Sequence, residues 1–241
     1  MQPHIQVAEG DVADLALVPG DPDRVDRIAA QCDDAETLAQ NREYRVVEAT
    51  YQDRELVICS TGVGSPSAAI AVEELAAVGV ETFLRVGTCG ALQSDVAIGD
   101  MVIATAAAKD EGTTKRYEAA EIPAVASHDV VTALADAASG AGADVVRGAI
   151  ATDDAFYAET PDYVEAWEAA GLQAVEMEAA AIFTLARRKD LRAGAICTVD
   201  GNLVEGTQKT DLADDGEELP PKARNNVGRA IDIALEAATM L

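Results

Sequence analysis

Leu15-Ala16-Leu17-Val18-Pro19-Gly20-Asp21-Pro22-Asp23-Arg24 joins an apolar run of strand length to a helical pattern that continues to Gln31. The run ends at Val18, Gly20 permits close backbone approach, and Asp21 caps a helix whose first turn holds Pro22. Strand-length apolar runs recur at Glu55 to Ser60, Thr82 to Val86, Met101 to Thr105, Asp144 to Ile150 and Ala193 to Val199. Helical patterns lie at Ser67 to Val78, Asp129 to Ser139, Asp162 to Ala170, Met177 to Arg187 and Pro221 to Met240. This alternation predicts an α/β fold with helices on both faces of a sheet. Glu43 to Ser60 reads instead as two strands turning at Gln52-Asp53, which makes the sheet mixed.

The chain has 241 residues and is 49% hydrophobic, enough for one sizeable domain spanning 1–241. Aromatics are only 4%, so the core must come mostly from Ala, Val, Leu and Ile. Met1-Gln2-Pro3-His4 carries no basic leader, and no apolar run approaches a membrane span; the expected location is cytoplasmic. Cys32, Cys59, Cys89 and Cys197 are scattered without metal-ligand spacing, as expected of reduced thiols. Cys89 invites a nucleophile reading, but the chain has only His4 and His128 and neither is near in sequence. The net charge of −25 argues against nucleic acid and anionic membranes as partners. Acids spread along the whole chain resemble adaptation to a salt-rich cytoplasm, where repulsion is screened. Any anion site must then gather scarce arginines against the overall field.

Three segments suit such a site, and a fourth suits a sugar beside it. Free amides at the helix start after Gly20, with Arg24 one turn in, make an anion cradle. Phe83-Leu84-Arg85-Val86-Gly87-Thr88-Cys89-Gly90-Ala91 delivers an arginine into an apolar strand and then reads as a glycine-rich turn bearing the Thr88 hydroxyl; a buried arginine calls for a partner. Arg42 precedes another apolar strand. Val175-Glu176-Met177-Glu178-Ala179-Ala180 places two carboxylates around a methionine where a strand-like run becomes helical. Carboxylates accept hydrogen bonds from vicinal hydroxyls, and the thioether offers an apolar surface to a sugar ring. The competing reading of those acids is that a helix N-terminus favours them anyway. Phe156-Tyr157 adds an aromatic face for a planar base. Phosphate, pentose and base together form the ternary set of a nucleoside phosphorylase.

In this order these segments, with Pro3-His4-Ile5, Ser60-Thr61-Gly62-Val63-Gly64 and Ala71-Val72-Glu73-Glu74-Leu75, resemble the nucleoside phosphorylase-I family of hexameric purine nucleoside phosphorylases and uridine phosphorylases. The resemblance covers nearly the whole chain. It implies a mixed, distorted sheet flanked by helices and a homohexamer built as a trimer of dimers. It implies that Gly20, Arg24, Arg85 and Thr88 hold phosphate, and that Arg42 completes the phosphate site of a neighbouring subunit. His4 resembles a residue crossing the same interface to the ribose 5′-hydroxyl. Glu176, Met177 and Glu178 match the ribose segment, and Phe156 the base pocket. Glu43, Val63 and Ser67 resemble a monovalent-cation site that a potassium-rich cytoplasm would keep filled. Inorganic phosphate is the implied co-substrate, with no redox cofactor. Arg85, Glu178 and Asp200 are the expected catalytic groups, and Arg85→Ala is expected to remove phosphate affinity while leaving the fold intact.

Two departures bear on the base. Purine phosphorylases of this family carry Ser-Asp after the strand that here reads Ile196-Cys197-Thr198-Val199, whereas this chain has Asp200-Gly201. One position reverses the face of a strand, unless a bulge restores Asp200. The glutamine and arginine with which bacterial uridine phosphorylases read uracil are replaced by Ala158-Glu159-Thr160-Pro161-Asp162. Gln208 supplies an amide if the polar stretch Asn202 to Glu218 folds inward as a lid. The displaced acid and the cation-site residues favour uridine; the alternative substrates are purine nucleosides or methylthioadenosine. A water-using nucleosidase and a non-catalytic nucleoside-binding protein are the further readings, and the arginine set disfavours both.

Overall fold

A computed structural model describes residues 1–207 and 219–241. The opening stretch folds as read: β1 (Leu15–Leu17) leads to α1 (Pro22–Ala29), and the Asp21 carboxylate accepts the Asp23 amide at 2.9 Å. β2 (Asp34–Asn41), β3 (Tyr44–Tyr51) and β4 (Arg54–Cys59) form an antiparallel meander. Gln52 and Asp53, with φ of 48° and 65°, turn β3 into β4, the left-handed pair that a two-residue hairpin requires. α2 (Ser65–Ala77), β5 (Thr82–Ala91), β6 (Met101–Asp110), α3 (Thr114–Tyr117) and β7 (Ala124–Val125) follow. The chain continues through α4 (His128–Gly140), β8 (Val146–Asp153), α5 (Pro161–Ala169), β9 (Ala174–Glu176), α6 (Ala179–Arg188), β10 (Arg192–Asn202) and α7 (Pro221–Ala238).

The strands form one mixed sheet in the order β10-β6-β8-β9-β5-β1-β4-β3-β2, and β10 also pairs with β5. That additional pairing closes β5, β10, β6, β8 and β9 on one another, while β1, β4, β3 and β2 extend from β5 as an open flank. Side chains alternate along each strand, so the core divides between the two faces. Ala16, Val18 and Phe83 pack with Val72 and Leu75 of α2 and Ile182 and Phe183 of α6. Leu15, Leu17, Leu84 and Val86 pack with Val25 of α1, Leu134 of α4 and Ile231 of α7. Arg85 shares the parity of Phe83, so it projects toward α2 and α6. No helix among the described residues is long and apolar enough to cross a membrane.

One sequence expectation changes, and one strand was not foreseen. Gly87 to Gly90 is not a turn: β5 runs through it to Ala91, pairing Gly87, Thr88, Cys89 and Gly90 with Cys197, Thr198, Val199 and Gly201 of β10. The glycines serve space instead, since a Cβ on Gly87 would lie 2.8 Å from Nη2 of Arg85. β2 has no apolar alternation, because this edge strand is mostly exposed. Its acids Asp34 and Glu36 discourage further strand pairing.

Candidate active site

The strand ends around β5 open onto a cavity of about 680 Å³. Gly20, Arg24, Arg85, Thr88, Phe156, Glu176, Met177, Glu178 and Asp200 all line it, together with Glu43 and Val63. Residues separated by up to 180 positions in sequence therefore converge as expected. Gly20 is held against the loop before α2, because the Thr61 and Gly62 amides donate to the carbonyls of Pro19 and Gly20 at 2.8 and 2.9 Å. Arg24 is buried in the first turn of α1, and its Nη1 donates to the Val86 carbonyl at 3.4 Å.

Arg85 is 3% exposed and stands between two carboxylates. Its Nε lies 2.9 Å from Oε2 of Glu176 and its Nη2 lies 2.6 Å from Oε2 of Glu178. Its Nη1 is buried with no hydrogen-bond partner among the described residues. Burial opposes the guanidinium charge, but Glu178 and Glu176 outweigh it and raise the pKa. Glu178 also accepts the Gly64 amide on Oε1 at 2.5 Å, at the start of α2. Burial pushes the Glu178 carboxyl up, against the pull of Arg85.

Glu176 does different work from Glu178. Its Oε1 accepts the Thr152 hydroxyl at 2.6 Å, and its Oε2 accepts the amides of Glu178 and Ala179 at 2.8 and 3.0 Å. It thus caps the N-terminus of α6, where negative charge also suits the helix dipole. With Arg85 added, its acceptor sites are largely taken. Glu176, Met177 and Glu178 all line the cavity, and Glu176 is in addition the group that orients Arg85. Thr152, which sequence reading missed, completes this unit by also accepting the Ala180 amide at 3.0 Å.

Asp200 reaches the cavity through a bulge. The β10–β5 register shifts between Val199 and Gly201, and Asp200 is the residue passed over. It is 7% exposed and lines the cavity. The one-position displacement in sequence is offset by this extra residue in the strand.

His4 and Arg42 do not line the cavity of their own chain. His4 is held by Glu74, which takes its Nδ1 at 2.5 Å and the His4 and Ile5 amides at 3.0 and 2.9 Å. Arg42 is exposed at the β2–β3 turn with φ of 56°. Glu43 and Ser67 are bonded at 3.1 Å, Ser67 also donates to the Thr61 carbonyl at 2.5 Å, and Val63 is 77% exposed beside them. No cluster of three His, Cys, Asp or Glu ligands exists among the described residues. Gln208 lies outside the described residues. Phe156 faces the cavity and meets Tyr157 edge-on at 5.1 Å. A hydrogen bond with Cys197 and burial push the Cys89 thiol up, which removes it as a nucleophile.

Sequence reading also missed Glu159, Leu203 and Gly90 as cavity residues. Glu159 and Leu203 additionally line a second cavity of about 340 Å³ against α5. Burial, Asp153 and Asp200 push the Glu159 carboxyl up to about 7.

Known proteins resemble this chain in sequence and fold. A guanosine phosphorylase of Halorubrum lacusprofundi is 62% identical over 240 residues, covering 100% of this chain and 99% of its own. A uridine phosphorylase of Thermococcus kodakarensis is 43% identical over 217 residues, covering 85% of this chain and 78% of its own. The crystal structure of a uridine phosphorylase from Vibrio fischeri, complexed with 6-hydroxy-1-naphthoic acid, superposes with a TM-score of 0.91 at 33% identity, covering 100% of this chain and 97% of that one. The sequence profile of the phosphorylase superfamily matches residues 14–238, a span that holds every residue of the cavity described above, and to that superfamily this chain belongs.

Proposed function

We propose that the chain is a nucleoside phosphorylase, a pentosyltransferase that exchanges the base of a nucleoside for inorganic phosphate and releases free base and ribose 1-phosphate. One observation carries this reading: Arg24, Arg85 and Thr88 share a single cavity with Met177, Glu178 and Phe156. Phosphate sits against the arginines, below the anomeric carbon. Glu178 and Met177 fix the sugar. As the glycosidic bond stretches, the ribose gains positive charge, which the adjacent phosphate dianion and Glu178 offset. Orientation and preorganised charge supply the rate enhancement. Asp200 stands where it can assist a departing base.

For the base, uridine is supported by the uridine phosphorylases among the relatives and by the bacterial fold match. A second reading, guanosine, is favoured by the bulge that returns Asp200 to the cavity and by the 62% identical guanosine phosphorylase. Uracil and guanine both present a ring N–H beside a carbonyl, so one protein acceptor can serve either.

The same proposal includes a cytoplasmic homohexamer, acting in nucleoside salvage, whose sites are shared between paired subunits. Six carboxyl groups and two guanidiniums line the cavity among the described residues. A phosphate dianion there needs further positive charge, and an outward Arg42 from a second copy supplies it. His4 reaches the ribose of that same copy. Glu43, Val63 and Ser67 gather oxygen atoms suited to a monovalent cation at this boundary; K⁺ is the candidate.

The test is a panel of uridine, thymidine, inosine, guanosine, adenosine and methylthioadenosine in high potassium chloride, with and without phosphate. Ribose 1-phosphate should form only when phosphate is present. Base release that is indifferent to phosphate would overturn the reading.

A further inference from the structure

We propose that Glu159 is the residue that reads the base, accepting the ring N–H of guanine together with its exocyclic amine, and so sets a preference for guanosine. This rests on the nucleoside phosphorylase reading above. Among the described residues six acids line the cavity, and four are engaged by other groups. Glu176 caps α6 and holds Arg85, and Glu178 is bonded to the Gly64 amide and Arg85. Asp21 caps α1, and Glu43 accepts the Ser67 hydroxyl. Asp200 sits in the β10 bulge. Among the described residues, Glu159 makes no hydrogen bond or ion pair, although it is half-buried. A half-buried carboxyl without a partner is costly unless a ligand supplies one.

Its place in the fold gives the direction. Glu159 directly follows the short helical turn Phe156–Ala158, whose Phe156 ring is the aromatic face of the cavity. Glu159 and Leu203 line both cavities, and among the described residues no arginine lines the second one. Glu159 thus belongs to the end of the cavity away from the phosphate-binding arginines. A base stacked on Phe156, with its sugar over Met177, turns its outer edge toward that end.

The chemistry of that edge selects among bases. Guanine offers N1–H and N2–H side by side, matching the two oxygens of one carboxylate in the bidentate manner that makes such pairs strong. Hypoxanthine and uracil each offer a single ring N–H. Adenine offers a ring lone pair there, which an ionised carboxylate repels. Among the described residues, the charged groups facing Glu159 are acids: Asp153 on β8, Asp200 on β10, and Glu165 and Glu168 on α5 across the second cavity. They disfavour its ionisation in the free protein, and a donor pair from guanine favours it.

The experiment compares wild type with Glu159→Gln and Glu159→Ala on guanosine, inosine, uridine and adenosine at saturating phosphate. Glu159→Gln should lower kcat/KM for guanosine on the order of 10- to 100-fold, mostly through KM. It should lower inosine and uridine less and leave adenosine unchanged or improved. The KM for phosphate should not move. Equal losses on all four nucleosides, or no loss on guanosine, would overturn the assignment. A wild-type enzyme without phosphate-dependent turnover would instead overturn the parent reading. Calorimetric binding of guanosine against adenosine then decides whether Glu159 selects the base: loss of the guanosine preference in Glu159→Gln supports it, and an unchanged preference refutes it.

Discussion

Replacing Thr152 by Val isolates the unit that aims Arg85. The two side chains have nearly the same shape, and Thr152 is fully buried, so packing is retained while one oxygen is lost. That oxygen donates to Glu176 at 2.6 Å and accepts from the Ala180 amide at 3.0 Å. Its removal weakens a charge-assisted hydrogen bond and orphans an amide in the first turn of α6. Losing a bond to a charged group costs about 1.5–3 kcal/mol, and a buried unsatisfied donor about 1–3 kcal/mol. Because Glu176 keeps two backbone amides and Arg85, the two terms overlap, and a net loss of about 2–4 kcal/mol is expected. For a chain of this size that lowers Tm by about 4–16 °C. Catalysis responds separately: a looser Glu176 lets the Arg85 fork turn, which should raise the KM for phosphate several-fold more than the KM for nucleoside. Thr152→Ser should restore both quantities, since it returns the oxygen. Thermal melts and phosphate titrations in high potassium chloride are the assays. If Thr152→Val melts with wild type and keeps its phosphate KM, Glu176 does not depend on Thr152 and the chain of support is wrong.

Arg85→Ala, expected from sequence to spare the fold, should instead lower stability by about 3–5 kcal/mol, because it strands Glu176 and Glu178, whose side chains are 1% and 7% exposed; Arg85→Lys should melt closer to wild type yet still bind phosphate poorly in calorimetry. Gly90→Ala should raise the nucleoside KM and leave the phosphate KM unchanged in steady-state kinetics, because its new Cβ would lie 2.3 Å from Cδ1 of Leu203. The Glu159 carboxyl, raised from 4.5 to about 7, binds more protons folded than unfolded, so its contribution to stability is fullest below pH 4.5 and declines as pH rises to about 7; the Tm difference between wild type and Glu159→Gln should drift against wild type across that window and flatten above it. If the site is shared, Arg42→Ala and Glu178→Gln should each be nearly inactive, while a refolded mixture regains activity from pairs that hold one intact site; no regain in the mixture argues for sites built within one chain.

The strands and helices were legible where apolar residues recur with the right period, and this held for β1, β4, β5, β6, β8 and β10 and for every long helix. β2 was not, because an exposed edge strand is held by its ladder to β3, and a ladder leaves no hydrophobic pattern. The segment Gly87 to Gly90 was misread because glycine pairs usually mark turns, whereas here they clear room for the Arg85 guanidinium and for Leu203. The charged residues that converge on the cavity were legible because charged side chains inside apolar runs are anomalous. Glu176 and Glu178 look alike in sequence, and only the positions of Thr152 and the α6 amides single out Glu176 as the capping acid. Glu159 was hidden by its setting, since an acid among polar residues beside a proline carries no signal until the fold buries it.

The charge distribution bears on how such a site works. Among the described residues two guanidiniums face six carboxyls in this cavity, inside a chain of net charge −25. Arg85 is already matched by Glu176 and Glu178, so on its own it cannot attract a dianion; its raised pKa records that pairing. Its unpartnered Nη1 still offers a directed N–H. Under the proposed function, attraction comes from Arg24, from helix-start amides and, if the site is shared, from a cation of a second copy. Arg42 fits the last role physically: it sits at a turn tip, exposed, in a left-handed backbone conformation that costs an ordinary residue about 1 kcal/mol. High salt screens the distant acids more than the buried contacts, which leaves short-range geometry to decide what binds. On the shared-site proposal, a strongly acidic protein holds phosphate without a basic surface because the final positive charge arrives with a second subunit.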